Sequence, residues 1–252
     1  MKRLEGKIVL VTGASSGIGQ VTAPAFAREG AKVVIASRSL EPSKKTLQMI
    51  KEVGGEGMFV RTDVSQAGEV ESLIKKVVEK YGRLDCAFNN AGIEGEPTST
   101  VDCTEAAWDL MMNTNLKGAW LCMKYEIAQM LLQGGGVIVN HASMMGLVAI
   151  PGGPAYIASK HGLVGLTKAA ALEYAKAGIR INAVCSGVAI TPLIERAMAA
   201  NPPAFEFIRN LIPMGRFAKL EEIAEVAVWL CTDASSYITG QPIIVDGGYV
   251  CQ

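Results

Sequence analysis

The sequence predicts a single α/β domain, a doubly wound parallel sheet of seven strands with helices on both faces. Three observations predict it. Short apolar runs rich in β-branched residues alternate with longer amphipathic stretches along the whole chain. Those runs lack in/out alternation, the mark of strands covered on both faces. The first run leads straight into a glycine-rich loop, Thr12-Gly13-Ala14-Ser15-Ser16-Gly17-Ile18-Gly19, and then into helical spacing through Phe26 and Ala27.

In chain order the candidate strands are Lys7 to Val11, Lys32 to Ala36, Gly57 to Arg61, Leu84 to Phe88, Gly136 to Asn140, Arg180 to Val184 and Pro242 to Val245. Segments between them, such as Glu69 to Tyr81 and Leu220 to Cys231, carry apolar residues at helical spacing. Pro24 stands inside the first helical segment, where it loses a hydrogen bond and clashes with the preceding turn, so a kink or a loosening is expected there. The widest irregular stretch runs from 187 to 215, with Pro192, Pro202, Pro203 and Pro213 beside Phe205 and Phe207, and reads as a mobile lid over an apolar site. No linker, low-complexity tract or repeat divides residues 1–252, which therefore read as one domain.

Composition excludes several classes. Half of the 252 residues are apolar, 19% are charged, and 24 basic residues balance 24 acidic ones, so neither disorder nor a nucleic-acid-binding surface is indicated. The six cysteines form no CxxC pair, which fits a reduced, cytoplasmic chain and no structural metal. Ile127 to Ser159 lacks Asp, Glu, Lys and Arg, but Gly134 to Gly136, Pro151 and Pro154 interrupt it, so a buried strand with flanking loops is expected and no membrane span. The two histidines, His141 and His161, have no cluster of acids or cysteines near them and read as structural.

Strand, glycine loop and helix in that order form a phosphate cradle: glycine lets backbone approach a pyrophosphate, and the helix N-terminus offers free N–H groups and the positive end of its dipole. At the end of the second strand, where an acid receives an adenosine ribose 2′-hydroxyl and a basic group a 2′-phosphate, the sequence reads Ala36-Ser37-Arg38-Ser39 with no acid before Glu41. Arg38, flanked by two hydroxyls, favours NADP(H) over NAD(H). Downstream, Tyr156 and Lys160 lie at i and i+4 on one helix face, a spacing shared by none of the other tyrosines. A neighbouring ammonium favours the phenolate, so the pair predicts a Tyr156 pKa drawn down from about 10 and a general acid/base.

With Thr12-Gly-x-x-x-Gly17-x-Gly19, Asn89-Asn90-Ala91-Gly92, Ser143 and Tyr156-x-x-x-Lys160 in this order, the chain resembles the classical short-chain dehydrogenases/reductases over essentially its whole length. The resemblance implies a Rossmann-type domain in which Ser143 holds the substrate oxygen, Tyr156 transfers its proton, and Lys160 lowers the tyrosine pKa and binds the nicotinamide ribose. Asn115 matches the family's fourth catalytic residue, which holds a relay water. It further implies cofactor contacts at Gly13, Ser15, Ser16, Gly17, Ile18, Gly19, Ser37, Arg38, Asp63, Val64, Asn89, Ala91, Gly92, Gly187, Val188 and Thr191, with Asn90 tying the central strands together. Ser186-Gly187 departs from the family's Pro-Gly pair, and losing proline's fixed φ frees that turn.

The implied reaction is hydride transfer between NADP(H) and a carbonyl or secondary alcohol. Expected pocket residues are Ile93, Glu94, Met144, Met145, Leu147, Val148, Phe205 and Phe207, a mainly apolar set suited to bulky or hydrophobic ketones. The alternatives are an NADP(H)-binding sensor or scaffold without turnover and an NAD(P)-dependent epimerase or dehydratase of the extended branch. The resemblance also implies a homotetramer, packed through helices around Ala106 to Leu132 and Ala155 to Ala175, with Ala158, Gly162, Gly165 and Ala169 as a close-approach face.

Overall fold

The computed structural model describes residues 2–251. Its seven parallel strands are β1 (Ile8–Thr12), β2 (Lys32–Ser37), β3 (Glu56–Arg61), β4 (Cys86–Asn89), β5 (Gly136–His141), β6 (Ile179–Ser186) and β7 (Pro242–Val245), in the spatial order β3-β2-β1-β4-β5-β6-β7. After β3 the chain returns to the other side of β1, so the strand order reverses between β1 and β4 and leaves a crevice at their carboxyl ends.

The helices are α1 (Gly17–Arg28), α2 (Leu40–Glu52), α3 (Ala67–Tyr81), α4 (Glu105–Met111), α5 (Gly118–Leu132), α6 (Pro154–Tyr174), α7 (Pro192–Ala200), α8 (Pro202–Asn210) and α9 (Leu220–Leu230). The continuous apolar strands follow from coverage on both sides. In β1, Val9 and Val11 pack with Phe26 of α1 and Val228 of α9, while Ile8 and Leu10 face Leu73 of α3 and Met130 of α5. A six-residue π-helical turn, Met112–Lys117, joins α4 to α5.

One expectation is corrected. The stretch from 187 to 215 is not irregular, since α7 and α8 occupy most of it; Pro202 and Pro203 lie in the first turn of α8, where a missing N–H breaks no bond, and Asn201 caps it by accepting from the Ala204 N–H. Pro24 is buried inside α1, which is helical on both sides of it from Gly17 to Arg28.

A buried polar network joins the sheet to α5 and α6. Asn89 Nδ2 donates to Glu126 Oε2 at 2.9 Å and to Asn140 Oδ1 at 3.2 Å, and Asn140 Nδ2 donates to Thr167 Oγ1 at 2.9 Å. Glu126 is fully buried, and burial pushes its carboxyl up to about 8, with the Asn89 bond opposing. Its Oε1 and Asn89 Oδ1 have no hydrogen-bond partner.

Candidate active site

A cavity of about 600 Å³ opens in the crevice at the carboxyl ends of the strands. The loop after β1 brings Gly13, Ser15, Ser16, Gly17 and Ile18 to its wall; the ends of β2 and β3 bring Ser37, Arg38, Asp63 and Val64. From the segment after β4 come Asn90, Ala91, Gly92, Ile93 and Glu94; α6 adds Tyr156 and Lys160, and the chain after β6 adds Thr191.

These residues fit a dinucleotide. Gly13 has φ +67°, and a Cβ there would stand 2.7 Å from Ala91 Cα, so only glycine allows the loop to lie against the β4 segment. Asn90 Nδ2 holds that contact by donating to the Thr12 and Gly13 carbonyls, and Thr12 Oγ1 accepts from the Asn90 and Ala91 N–H groups. The first turn of α1 carries no acidic side chain and Ser16 makes no side-chain cap bond, which leaves its amides available to an anion. Asp63 Oδ1 accepts from Ser65 N and Oγ, fixing the carboxylate at the cavity wall.

At the chemistry end, Ser143 follows β5, and its hydroxyl accepts from the Met145 N–H at 3.1 Å and lies near enough to the Tyr156 phenol to favour its ionised form. Lys160 is buried one turn along α6, with Nζ 5.6 Å from the centre of the Tyr156 ring and 2.9 Å from the His141 carbonyl to which it donates. The expected lowering of the tyrosine is not what this environment gives. Burial pushes Tyr156 up to about 12, with the Ser143 hydroxyl working against it and the Glu94 charge adding to it. Lys160 is likewise shifted, pushed down to about 8 by burial with Glu94 opposing. Tyr156 is thus held as a neutral phenol, a proton donor. Glu94 is exposed at the cleft mouth, and its carboxyl is raised from the ordinary value by partial desolvation, with Lys160 opposing.

The remaining predicted residues divide. Asn115, in the π-helical turn, is buried and clasps the backbone of Ile93: Oδ1 accepts from Ile93 N at 2.8 Å and Nδ2 donates to Ile93 O at 2.9 Å. Gly19 does not line the cavity; it backs onto Gly13 and Asn90. Asn89 turns its side chain away into the Glu126 network and ties β4 to β5, while Asn90, at the cavity wall, ties the end of β4 to the end of β1 as expected. Ser37 Oγ is committed to Ser39 O and Ser43 Oγ, which leaves Arg38 without one of its two expected hydroxyl companions. Gly187 and Val188 stand behind Thr191 rather than at the wall: a Cβ on Gly187 would meet Asp246 Cα at 2.8 Å, and Val188 O accepts from Ala218 N.

The apolar pocket is also rearranged. Met144 and Met145 are buried and Leu147 packs toward Leu163 and Cys185, none of them on the cavity wall. Phe205 lies edge-on to Phe217 in a second cavity of about 530 Å³, and Phe207 points to solvent. Among the wall residues missed are two that carry titratable groups. His141 lies beside Lys160, and Arg196 reaches the wall from α7; the register of β5 with β6 and the helicity of α7 place them, and neither shows as a local motif. Among the described residues no group of three or more His, Cys, Asp or Glu side chains is arranged to hold a metal, and no helix is long and apolar enough to cross a membrane.

A doubly wound sheet with this glycine loop and a Ser-Tyr-Lys cluster defines an oxidoreductase of the short-chain dehydrogenase/reductase family, and the chain belongs to it. The family model described as Enoyl-(Acyl carrier protein) reductase matches residues 13–250. The chain is 40% identical to cyclohexanol dehydrogenase of Acinetobacter sp. (strain SE19) over 247 residues, 98% of this chain and 96% of the relative. Its structure is similar to that of levodione reductase, with TM-score 0.96, 36% identity and 99% of each chain covered. It is also similar to a variant of actinorhodin polyketide ketoreductase with NADPH, at TM-score 0.92 and 36% identity over 96% of this chain and 97% of that one.

Proposed function

We propose that the protein is an NADPH-dependent carbonyl reductase, acting on bulky or hydrophobic ketones, with cyclic ketones foremost, and oxidising the matching alcohols in reverse. The observation that carries this reading is the buried Tyr156 phenol, held protonated between Ser143 and Lys160 on the wall of a dinucleotide-sized cavity. When bound, the reduced nicotinamide supplies the hydride. The Ser143 hydroxyl holds the substrate oxygen, and the Tyr156 O–H gives that oxygen its proton as negative charge develops. The Lys160 ammonium, fixed on the His141 carbonyl, stabilises the phenolate left behind and takes the nicotinamide ribose. Asn115, by clasping Ile93, fixes the wall of the relay that returns a proton to Lys160.

Arg38 supports NADP(H) over NAD(H): it lines the cavity, is exposed, and no acid stands beside it at the end of β2. The relatives named for cyclohexanol and levodione support the cyclic class. Residues 1–252 act as one catalytic domain, and α7 and α8, carrying Arg196 to the cavity wall, act as the lid. The homotetramer is supported by exposed Trp108 and Leu110 on α4, Trp120 and Leu131 on α5 and Leu172 on α6. The small-residue face of α6 is split, since a Cβ on Gly162 would meet Leu116 at 2.8 Å whereas Gly165 faces open space. Six free cysteines accord with the cytoplasm.

The test is NADPH consumption by purified protein against ketones graded from small to bulky and cyclic, paired with Tyr156→Phe. Turnover that favours the larger ketones and disappears in the variant is expected. Turnover that survives Tyr156→Phe, or none with any ketone despite NADPH binding, overturns the reading.

A further inference from the structure

One contact at the edge of the site is absorbed by neither the cofactor cradle nor the proton relay. His141 ends β5 and Ser186 ends β6, and their side chains meet at 2.9 Å between Nε2 and Oγ. The two strands run in parallel register with His141 opposite Val184, and the ladder closes with the Ala142 N–H donating to Val184 O. Among the described residues no backbone hydrogen bond joins the two strands beyond that one, and the side-chain pair continues the tie.

Each partner is also joined to a different part of the chemistry. The His141 carbonyl receives the Lys160 ammonium at 2.9 Å. Ser186 leads into Gly187, whose N–H donates to Val245 O, and on to Thr191 at the cavity wall. The imidazole is tilted against Phe88, with ring centroids 5.9 Å apart, and Ser186 is buried. Burial and the Lys160 charge push His141 down to about 3, so the ring is neutral throughout the working range and offers one donor and one acceptor nitrogen.

We infer that the His141–Ser186 hydrogen bond is a strap that holds the Ser186–Gly187 turn at a fixed distance from the Lys160 anchor, so that His141 and Ser186 are positioning residues for the hydride-transfer geometry. A serine at 186 leaves its own φ free, whereas a proline would fix it. β7 holds the backbone there from one side, through Val245, and the imidazole adds a side-chain restraint from β5 on the other. Misplacement of reacting groups by less than an ångström is enough to slow a positioned reaction, and the strap acts at the junction of the two groups that must be aligned.

This inference rests on the reading of the cleft as a nicotinamide-dependent reductase site, and the experiment separates the two. Ser186→Ala, Ser186→Thr, His141→Leu and the double variant His141→Leu/Ser186→Ala are compared with wild type for kcat and KM on a cyclic ketone, and for the NADPH dissociation constant by fluorescence quenching. Loss of one buried hydrogen bond predicts about tenfold lower kcat for Ser186→Ala with ketone KM within about twofold. Ser186→Thr, which keeps the hydroxyl, restores most of the rate, and the double variant is no slower than either single one.

Wild-type kcat in Ser186→Ala, no rescue by threonine, or losses that multiply in the double variant would each overturn the strap. Should His141→Leu not fold, the Ser186→Ala and Ser186→Thr comparison decides alone. Absence of turnover in the wild type overturns the reductase reading instead; the strap is then judged by NADPH affinity, which weakens in Ser186→Ala and recovers in Ser186→Thr if the tie holds the turn, and is equal in both if it does not.

Discussion

Glu126→Gln should make the protein more stable at neutral pH and remove a pH dependence that the wild type carries. Glu126 is buried in the Asn89 network with no cation beside it, and its carboxyl titrates at about 8 in place of 4.5. An acid raised on folding binds its proton more tightly in the native state. Its contribution is therefore fully present below pH 4.5 and is lost as pH rises toward 8. Each pH unit across that window costs about 1.4 kcal/mol, so between pH 4.5 and 7 the loss is about 3 kcal/mol. Glutamine keeps the shape, cannot ionise, and has an N–H to offer to the unpartnered Asn89 Oδ1.

Urea unfolding followed by tryptophan fluorescence, with wild type and variant measured side by side from pH 4.5 to 8, reads the difference. His141, lowered to about 3, works in the opposite direction between its native and unfolded titrations, but it is intact in both proteins and cancels. The variant should draw level near pH 4.5 and lead by about 3 kcal/mol at pH 7. A difference that stays flat with pH would refute the reasoning, because it would mean that Glu126 is ionised in the folded state at neutral pH or is not buried.

Three further outcomes are expected. Arg38→Asp should raise KM for NADPH by roughly 10- to 100-fold, the range of a charge-assisted phosphate contact, while NADH is used as well or better; steady-state kinetics with both cofactors checks it. Glu94→Gln should move the alkaline limb of the reduction rate to lower pH, since the Glu94 charge raises both Lys160 and Tyr156, and a pH–rate profile in each protein shows the direction. Gly13→Ala should weaken NADPH binding and lower Tm by several degrees, because the new Cβ meets the Ala91 backbone at φ +67°.

The strands and the cradle were legible because their signals are local. Unalternating apolar runs report double coverage, and all seven fall within one to two residues of the observed strands. The helices of the 187–215 stretch were missed because Pro202 and Pro203 look like breakers when counted and are helix starters where they stand. Tyr156 and Lys160 were placed by their spacing, yet the direction of the tyrosine's titration depends on burial depth, which spacing does not carry. Asn90 takes its expected part as a tie between strands, whereas the tie that Asn89 makes to Glu126 and Asn140 depends on partners in α5 and β5 that its own neighbourhood does not show. His141 and Ser186 are separated by 45 positions in the chain, and nothing in either neighbourhood announces the other.

The strand order also has a consequence for how the chain comes to be folded. β1, formed from the first dozen residues, takes β2 as one neighbour but waits for β4 as the other, and β5 and β6 must then be added outward in sequence. Pairings between such distant segments are slow to form because the loops they close are large. The cavity needs Gly13 from the first strand's end and Thr191 from beyond β6, so it is completed only when three quarters of the polypeptide is in place. A nascent chain therefore holds its first glycine loop open through most of its synthesis, and cofactor present during refolding should capture the protein at a late step, accelerating the final approach to the native state and leaving the early collapse unchanged.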